Sequence, residues 1–284
     1  MVMERERFNR TKALKESANV SYLGSSRQSA KLEYSYEAGW ETYGIYLAPY
    51  TMARDEKHPH INLCPKSDSC RDFCLNGSGH NKVEMLRNKD FTGLTKIDKA
   101  RIRRTHLFYD NRKLFMKILI GEMKRHMNHA LKNGLNFAVR LNCTSDLSPE
   151  LFKDETGMNI LQMFPHIQFY DYTKVVSRLK LQEKYANYDL VYSYDGTPES
   201  EKVAKEYLAK GGKVAIVFDI ADENGKQTLP ETYWGTKVID ANHSDTRFLD
   251  EPGTIMGLHY HRVGKDYVGG KYTPRETKFV VRSL

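Results

Sequence analysis

From residue 137 to residue 261, short apolar segments alternate with helical ones, and this rhythm restricts the fold more than any other feature of the chain. Strands read at 137–142, 167–173, 190–194, 213–219, 237–242 and 254–261. Between them, helices are expected over 148–163, with Ser148 as N-cap and Pro149 at the first position, over 175–187, and over 199–210, closed by Gly211-Gly212. Leu229-Pro230 is expected to open a further short helix. Strands and helices at this spacing form βαβ units and a parallel sheet. Upstream, 31–38 and 43–50 alternate aromatic and polar residues as strands do. Counted from Tyr43, six parallel strands precede the last. The expectation is an α/β protein built as a full or partial (β/α) barrel. Residues 1–40 read as an N-terminal extension or cap, 41–262 as the barrel-like domain, and 263–284 as a C-terminal tail.

Charge is concentrated in one helical block. Residues 96–132 carry eleven Lys/Arg against three acids, an excess equal to the net charge of +8 of all 284 residues. The block reads as helix broken near Asp110-Asn111, with Phe115, Ile118, Leu119, Met123 and Ala130 on one apolar face and Asn133-Gly134 closing it. Its cations make nucleic acid a candidate partner, through Arg101, Arg103, Arg104, Arg112, Lys113 and Arg125; a solvated helix face is the competing reading. No apolar run approaches a membrane span. The opening Met-Val-Met-Glu-Arg-Glu-Arg lacks the apolar core of a secretory signal. A cytoplasmic, reducing location is expected, where clustered cysteines are ligands rather than bridges.

Three of the four cysteines fall within eleven residues, Cys64-Pro-Lys-Ser-Asp-Ser-Cys70-Arg-Asp-Phe-Cys74, inside a loop (62–80) after the first barrel strand. One reading has the three thiolates hold a [4Fe–4S] cluster with one iron left open. Another adds His80 as a fourth ligand around zinc. Polar residues also gather where strands end: Asn142, Thr144, Ser145 and Asp146; Tyr170, Asp171, Tyr172 and Lys174; Ser193, Tyr194 and Asp195; Asp219; Asp240, Asn242, His243 and Asp245. In parallel α/β architectures those ends form the active-site face. Each alone reads as a turn residue. Cys143 reads as a buried free thiol, His106, His126 and His129 as surface residues, and His259 and His261 as sharing one strand face.

The loop's position, the open iron and Phe73 directly before the last cysteine resemble the arrangement of radical S-adenosylmethionine (SAM) enzymes. That resemblance implies reductive cleavage of SAM, with Phe73 beside the adenine and SAM or substrate held by Asn142, Thr144, Asp146, Asp171, Ser193 and Asp219. The usual Cys-x3-Cys-x2-Cys is here Cys-x5-Cys-x3-Cys. No Gly-Gly-Glu follows the second strand, where Asn142-Cys143-Thr144-Ser145-Asp146 stands instead. Separately, Asn62-Leu63-Cys64-Pro65, Cys70-x3-Cys74-Leu75, Val139-Arg140-Leu141-Asn142, residues 169–174 and residues 245–250 resemble an uncharacterised bacteriophage family, gene product 88. This resemblance implies a phage origin, hence a host cytoplasm, and brings no activity with it. Two alternatives to the radical SAM enzyme stand: a zinc-binding nucleic-acid-binding protein without catalysis, and a metal-dependent nuclease built on Asp146, Asp171, Asp219 and Asp245.

Overall fold

The computed structural model describes residues 8–26, 30–74, 76, 79–88, 93–261, 267–268, 271–273 and 276–283. Asn9 caps α1 (Arg10–Ala18), its side chain accepting the Lys12 N–H at 3.0 Å. Then come β1 (Gly24–Ser25), α2 (Ala30–Tyr34) and β2 (Trp40–Ile45). The cysteine loop follows, and after it α3 (Gly79–Asn88), α4 (Lys96–Asp110) and α5 (Arg112–Lys132). Thr95 and Asp98 form a capping box at the start of α4. Asn111 both ends α4 and caps α5, accepting the Leu114 N–H at 3.0 Å, so the expected break is a corner between two helices.

The remaining elements follow the expected rhythm. They are β3 (Asn136–Arg140), α6 (Ile160–Met163), β4 (Gln168–Thr173), α7 (Leu181–Lys184), β5 (Tyr188–Ser193), α8 (Pro198–Ala209) and β6 (Lys213–Phe218). A hairpin of β7 (Ile220–Ala221) and β8 (Gln227–Thr228) leads to β9 (Thr232–Tyr233), β10 (Thr236–Asp240) and β11 (Ile255–His259). A second hairpin, β12 (Tyr267–Val268) with β13 (Lys271–Tyr272), precedes β14 (Val280–Val281).

Ten strands join in one sheet in the order β1-β2-β3-β4-β5-β6-β11-β10-β9, with β14 also on β6. The pairs from β2 to β10 are parallel; β1 and β9 are antiparallel edge strands. The fold is therefore mixed α/β with a mostly parallel, open sheet. A closed barrel is not formed: among the described residues no hydrogen bonds join the two edges. The strand order also departs from a barrel's simple progression, because β11 inserts between β6 and β10. No helix among the described residues is long and apolar enough to cross a membrane.

One sheet face packs against the helices. Tyr43 and Ile45 of β2, Phe137 and Val139 of β3, Phe169 of β4 and Leu190 of β5 share a core with Phe115, Ile118, Leu119 and Met123 of α5. Farther along, Tyr192, Val214, Ile216, Phe218 and Ile255 meet Ala204 and Leu208 of α8. The opposite face is smaller, with Val191, Ala215 and Met256 at its centre. The 245–250 segment reaches it, and Phe248 lies 4.7 Å from the Trp40 ring and 5.3 Å from Tyr170.

Several local expectations are corrected. Residues 31–38 are α2 and turns rather than a strand, since Ala-Lys-Leu-Glu favours helix and Trp40 N–H bonds back to Ser35. The 148–163 helix is a 3-10 turn (Pro149–Leu151), with Ser148 as its cap, and the short α6. The 175–187 helix is a 3-10 turn (Val176–Lys180) running into α7. Leu229-Pro230 lies between β8 and β9 and opens no helix. The segment beyond 262 contributes β14, which pairs with Val217 and Phe218 of β6 beyond the point where β5 leaves that edge.

Gly196 explains how that last strand is admitted. It has φ +88°, and a Cβ there would overlap the Lys278 carbonyl. Gly196→Ala is expected to lower the unfolding free energy by about 1–3 kcal/mol in chemical denaturation. Gly157→Ala, at φ +83° but with nothing nearby, should cost measurably less, and the difference reads out the docking of the 276–283 segment.

Candidate functional site

The loop after β2 is strapped to the carboxyl ends of the neighbouring strands. Leu63 donates its N–H to the Tyr50 carbonyl at 3.0 Å and accepts from the Asp146 N–H at 2.7 Å. This sets Cys64 beside the loop after β3, where its sulfur lies 3.8 Å from the Thr144 carbonyl and receives the Tyr50 N–H at 3.3 Å. A 3-10 turn (Arg71–Phe73) separates Cys70 from Cys74. The Cys74 sulfur receives the Asn76 N–H at 3.4 Å. Asn76 is anchored in turn: its amide donates to Asp98 at 2.9 Å, and its carbonyl oxygen accepts from Arg101. The capping box of α4 thus also fixes the position of Cys74.

Among the three half-buried thiols, Cys70 and Cys74 lie close enough to raise Cys64, and Cys70 to raise Cys74. Burial is the main cause, pushing Cys64 up to about 12 and Cys74 to about 11, with Cys70 also raised. Two cations oppose this. Lys174 lowers Cys70 and Cys74, and Arg101 lowers Cys74. Lys174 leaves the end of β4 and donates to Ser193 Oγ at 3.0 Å and to the Ser193 and Tyr194 carbonyls at 3.3 Å. Burial pulls its own pKa down, against the facing Cys70, Asp195, Asp146 and Cys64. Arg101 lies 5.5 Å from the Tyr46 ring, and its Nε is buried with no hydrogen-bond partner among the described residues.

Phe73 sits against Tyr260, ring centroids 5.8 Å apart, and Phe279, 6.4 Å. The Lys174 ammonium is 4.7 Å from the Phe279 ring. The cysteine loop, the ends of β4, β5 and β11 and the approach to β14 therefore meet at one place.

Asn142, Asp146 and Asp171 belong to a tight polar network beside this site. Asp171 accepts the Asn142 N–H at 2.8 Å, its Nδ2 at 2.9 Å and the Tyr188 hydroxyl at 2.9 Å. Asp146 accepts from Thr173 Oγ1 at 2.8 Å and the Lys174 N–H at 2.9 Å. Arg178 joins them, bonded to Asp146 and 3.7 Å from Asp171. Thr144 Oγ1 donates to the Leu47 carbonyl at 2.6 Å. Asp219 lies apart at the end of β6, 3.3 Å from Arg282 and 3.0 Å from the Gln227 amide. Asp245 faces Arg140 at 2.5 Å. Each of the four aspartates considered for a nuclease centre thus meets an arginine.

The basic block is less available than its charge count implies. Arg104 is 5% exposed, donating to the Tyr22 carbonyl at 2.8 Å and lying 4.9 Å from the Tyr22 ring. Arg101 faces the cysteine loop. Arg112 donates to the Phe108 and Leu151 carbonyls, both at 2.6 Å, and Lys113 pairs with Glu155 at 2.5 Å. Arg103 is half-buried and Arg125 exposed. His126 and His129 are not simply solvated: they bond both oxygens of the buried Glu41, at 2.9 and 2.6 Å.

Cys143 packs where Gly44 leaves room for its sulfur, and burial pushes it up to about 12. His80 is exposed at the start of α3. No three of Cys64, Cys70, Cys74 and His80 bring their ligand atoms within 4.8 Å of one another.

The family model described as gene product 88 matches residues 6–277, and the chain belongs to that family. No curated protein and no solved structure matches it. The family match bears out the phage resemblance and lends no support to the radical SAM one.

Arg178 is the group whose loss the site should feel most. Arg178→Met leaves two buried carboxylates without their cation, and breaking a buried pair in this way costs about 3–5 kcal/mol. Urea unfolding is expected to show a loss of that order, whereas Lys113→Met on the exposed Glu155 pair should change stability by less than about 1 kcal/mol.

Proposed function

We propose that this member of the gene product 88 family is an iron–sulfur protein, with Cys64, Cys70 and Cys74 holding a [4Fe–4S] cluster, and that it cleaves SAM reductively to act on a further substrate. One observation carries the reading: three thiols on one loop at the carboxyl ends of a parallel sheet, with Phe73 and Lys174 beside them. A bound three-thiolate cluster would supply an iron without a protein ligand and the electron for SAM cleavage.

The chain's own residues suit that task. The Tyr50 and Asn76 N–H groups donate to the Cys64 and Cys74 sulfurs, which stabilises thiolate over thiol. Lys174 and Arg101 offset the charge of three thiolates in a partly desolvated site. Phe73, Tyr260 and Phe279 form an aromatic wall that suits a flat purine and excludes water. Ser193, bonded to Lys174, and Thr144, whose carbonyl lies 3.8 Å from the Cys64 sulfur, would serve as polar contacts for SAM. Asn142, Asp146 and Asp171 support the strand ends on which those contacts stand, and Asp219 is tied to Tyr260 through Gln227 and Arg282. In this reading β2 to β6, in sequential order, serve as the partial barrel. A nuclease would need a cation to displace an arginine from each aspartate. A nucleic-acid-binding role is left, among the six candidates, with the exposed Arg125 and with Lys113 once it leaves Glu155.

Protein purified without oxygen is expected to be brown, with about four iron and four sulfide per chain. Cys64→Ala, Cys70→Ala and Cys74→Ala should each abolish the colour, while Cys143→Ala keeps it. Reduced protein should release 5′-deoxyadenosine from SAM. Stoichiometric zinc with no iron in anaerobic protein would sink the cluster; a loaded cluster that neither binds nor cleaves SAM would sink the enzymatic half.

A further inference from the structure

Away from the cysteines, one set of side chains is arranged as ligands. Asp55, His58 and His106 each present one ligand atom, and these lie within 4.8 Å of one another. Asp55 and His58 belong to the stretch between β2 and Cys64, and His106 to α4, so the set joins the loop to the helix. Asp55 Oδ1 is 2.8 Å from His58 Nδ1, and Asp55 Oδ2 is 3.5 Å from His106 Nε2. A tetrahedral ion with bonds of about 2.0–2.1 Å to nitrogen and oxygen holds neighbouring ligand atoms about 3.3 Å apart. The two observed distances bracket that value. The imidazoles lie face to face, centroids 4.4 Å apart and planes at 16°, so that both direct a nitrogen at one carboxylate.

The surroundings are those of a built site. His58 Nε2 lies 3.0 Å from Asp110 Oδ1. A carboxylate behind a ligating imidazole fixes the tautomer, here leaving Nδ1 free to face the ion. His106 Nε2 donates to the Ala53 carbonyl at 2.8 Å, so binding an ion through that nitrogen releases its proton and this bond, and stacking on His58 keeps the ring in place. Asp55 also accepts the His58 N–H at 2.7 Å, which presets the turn carrying both residues. The His58 side chain is only 10% exposed. Lys57 reaches Asp110 at 2.8 Å from the solvent side, 71% exposed and free to swing away.

We propose that Asp55, His58 and His106 bind a late first-row divalent cation, zinc foremost, with Asp110 as the positioning residue behind His58. Two imidazoles and one carboxylate are a donor set typical of zinc, with one position open to solvent. The ion would cross-link the 51–63 stretch to α4 and so steady the backbone from which Cys64 emerges. This site stands independently of the cluster.

The probe is zinc chloride alone, titrated by calorimetry into the full-length chain after chelator treatment, with Cys64, Cys70 and Cys74 changed to Ser so that thiols cannot compete. One zinc per chain is expected to bind and to raise the melting temperature. His58→Gln and His106→Gln should each abolish this, and Asp110→Asn should weaken binding roughly 10–100-fold, the usual effect of removing such a supporting group. Circular dichroism checks that each variant is folded. Folded triple-serine protein that binds no zinc overturns the proposal, as does undiminished binding in both histidine variants. If the triple-serine chain does not fold, X-ray absorption on unaltered protein carrying one zinc decides: imidazole scattering in an N/O shell supports the site, and a sulfur shell overturns it.

Discussion

Arg178 is the charge on which the carboxyl-terminal face of the sheet depends. It stands between Asp146, on the loop after β3, and Asp171 of β4, and also meets the Tyr188 hydroxyl of β5. Without it, Asp146 and Asp171 would lose the cation held between them, and desolvation would favour protonation or separation of the strand ends. Burial already holds the Asp171 carboxyl above the usual carboxylate range, against the opposing pull of Arg178 and the Asn142 amide. The network leaves little slack. The Asp146 N–H donates to Leu63 and its carboxylate accepts from the Lys174 N–H, so the positions of both Cys64 and Lys174 are set by the group that Arg178 holds.

The same economy of cations runs through the cysteine site. Helix α4 carries Asp98 as part of its own cap, and that carboxylate also orients Asn76, which donates to the Cys74 sulfur. Arg101, one turn onward, bonds Asn76 and faces the thiols. A helix that reads as a basic surface is therefore partly the rear wall of the site, with Arg101 turned toward sulfur.

Much of this could be read from residue order. The cysteine loop after the first parallel strand, the α4–α5 corner at Asn111 and the positions of seven parallel strands all follow from local periodicity and capping. The exchange of β10 and β11 in space does not, because strand spacing carries no record of pairing order. Residues 31–38 misled because aromatic alternation mimics a strand while Ala-Lys-Leu-Glu prefers helix. Lys174 was visible as a strand-end residue, but its place among the thiols depends on β5 lying beside β4. Arg101 and Arg104 look like surface charge on a helix, and only the tertiary packing reveals which side of α4 is inside. Arg178, Tyr260 and Phe279 carried no signal of their own. Of the Asp55, His58 and His106 set, only His106 attracted notice, as a surface residue, since its partners lie about fifty positions away in the loop.

Strand β14 has a consequence for how readily the crevice opens. Only two residue pairs join it to β6, so little backbone bonding holds it, and segments held this way open locally well below the global unfolding free energy. Phe279, one residue before it, closes one side of the crevice beside Phe73. The strap carrying both is therefore expected to exchange its amide hydrogens before the strands it borders, so that access from that side follows the strap's own opening rather than unfolding of the sheet.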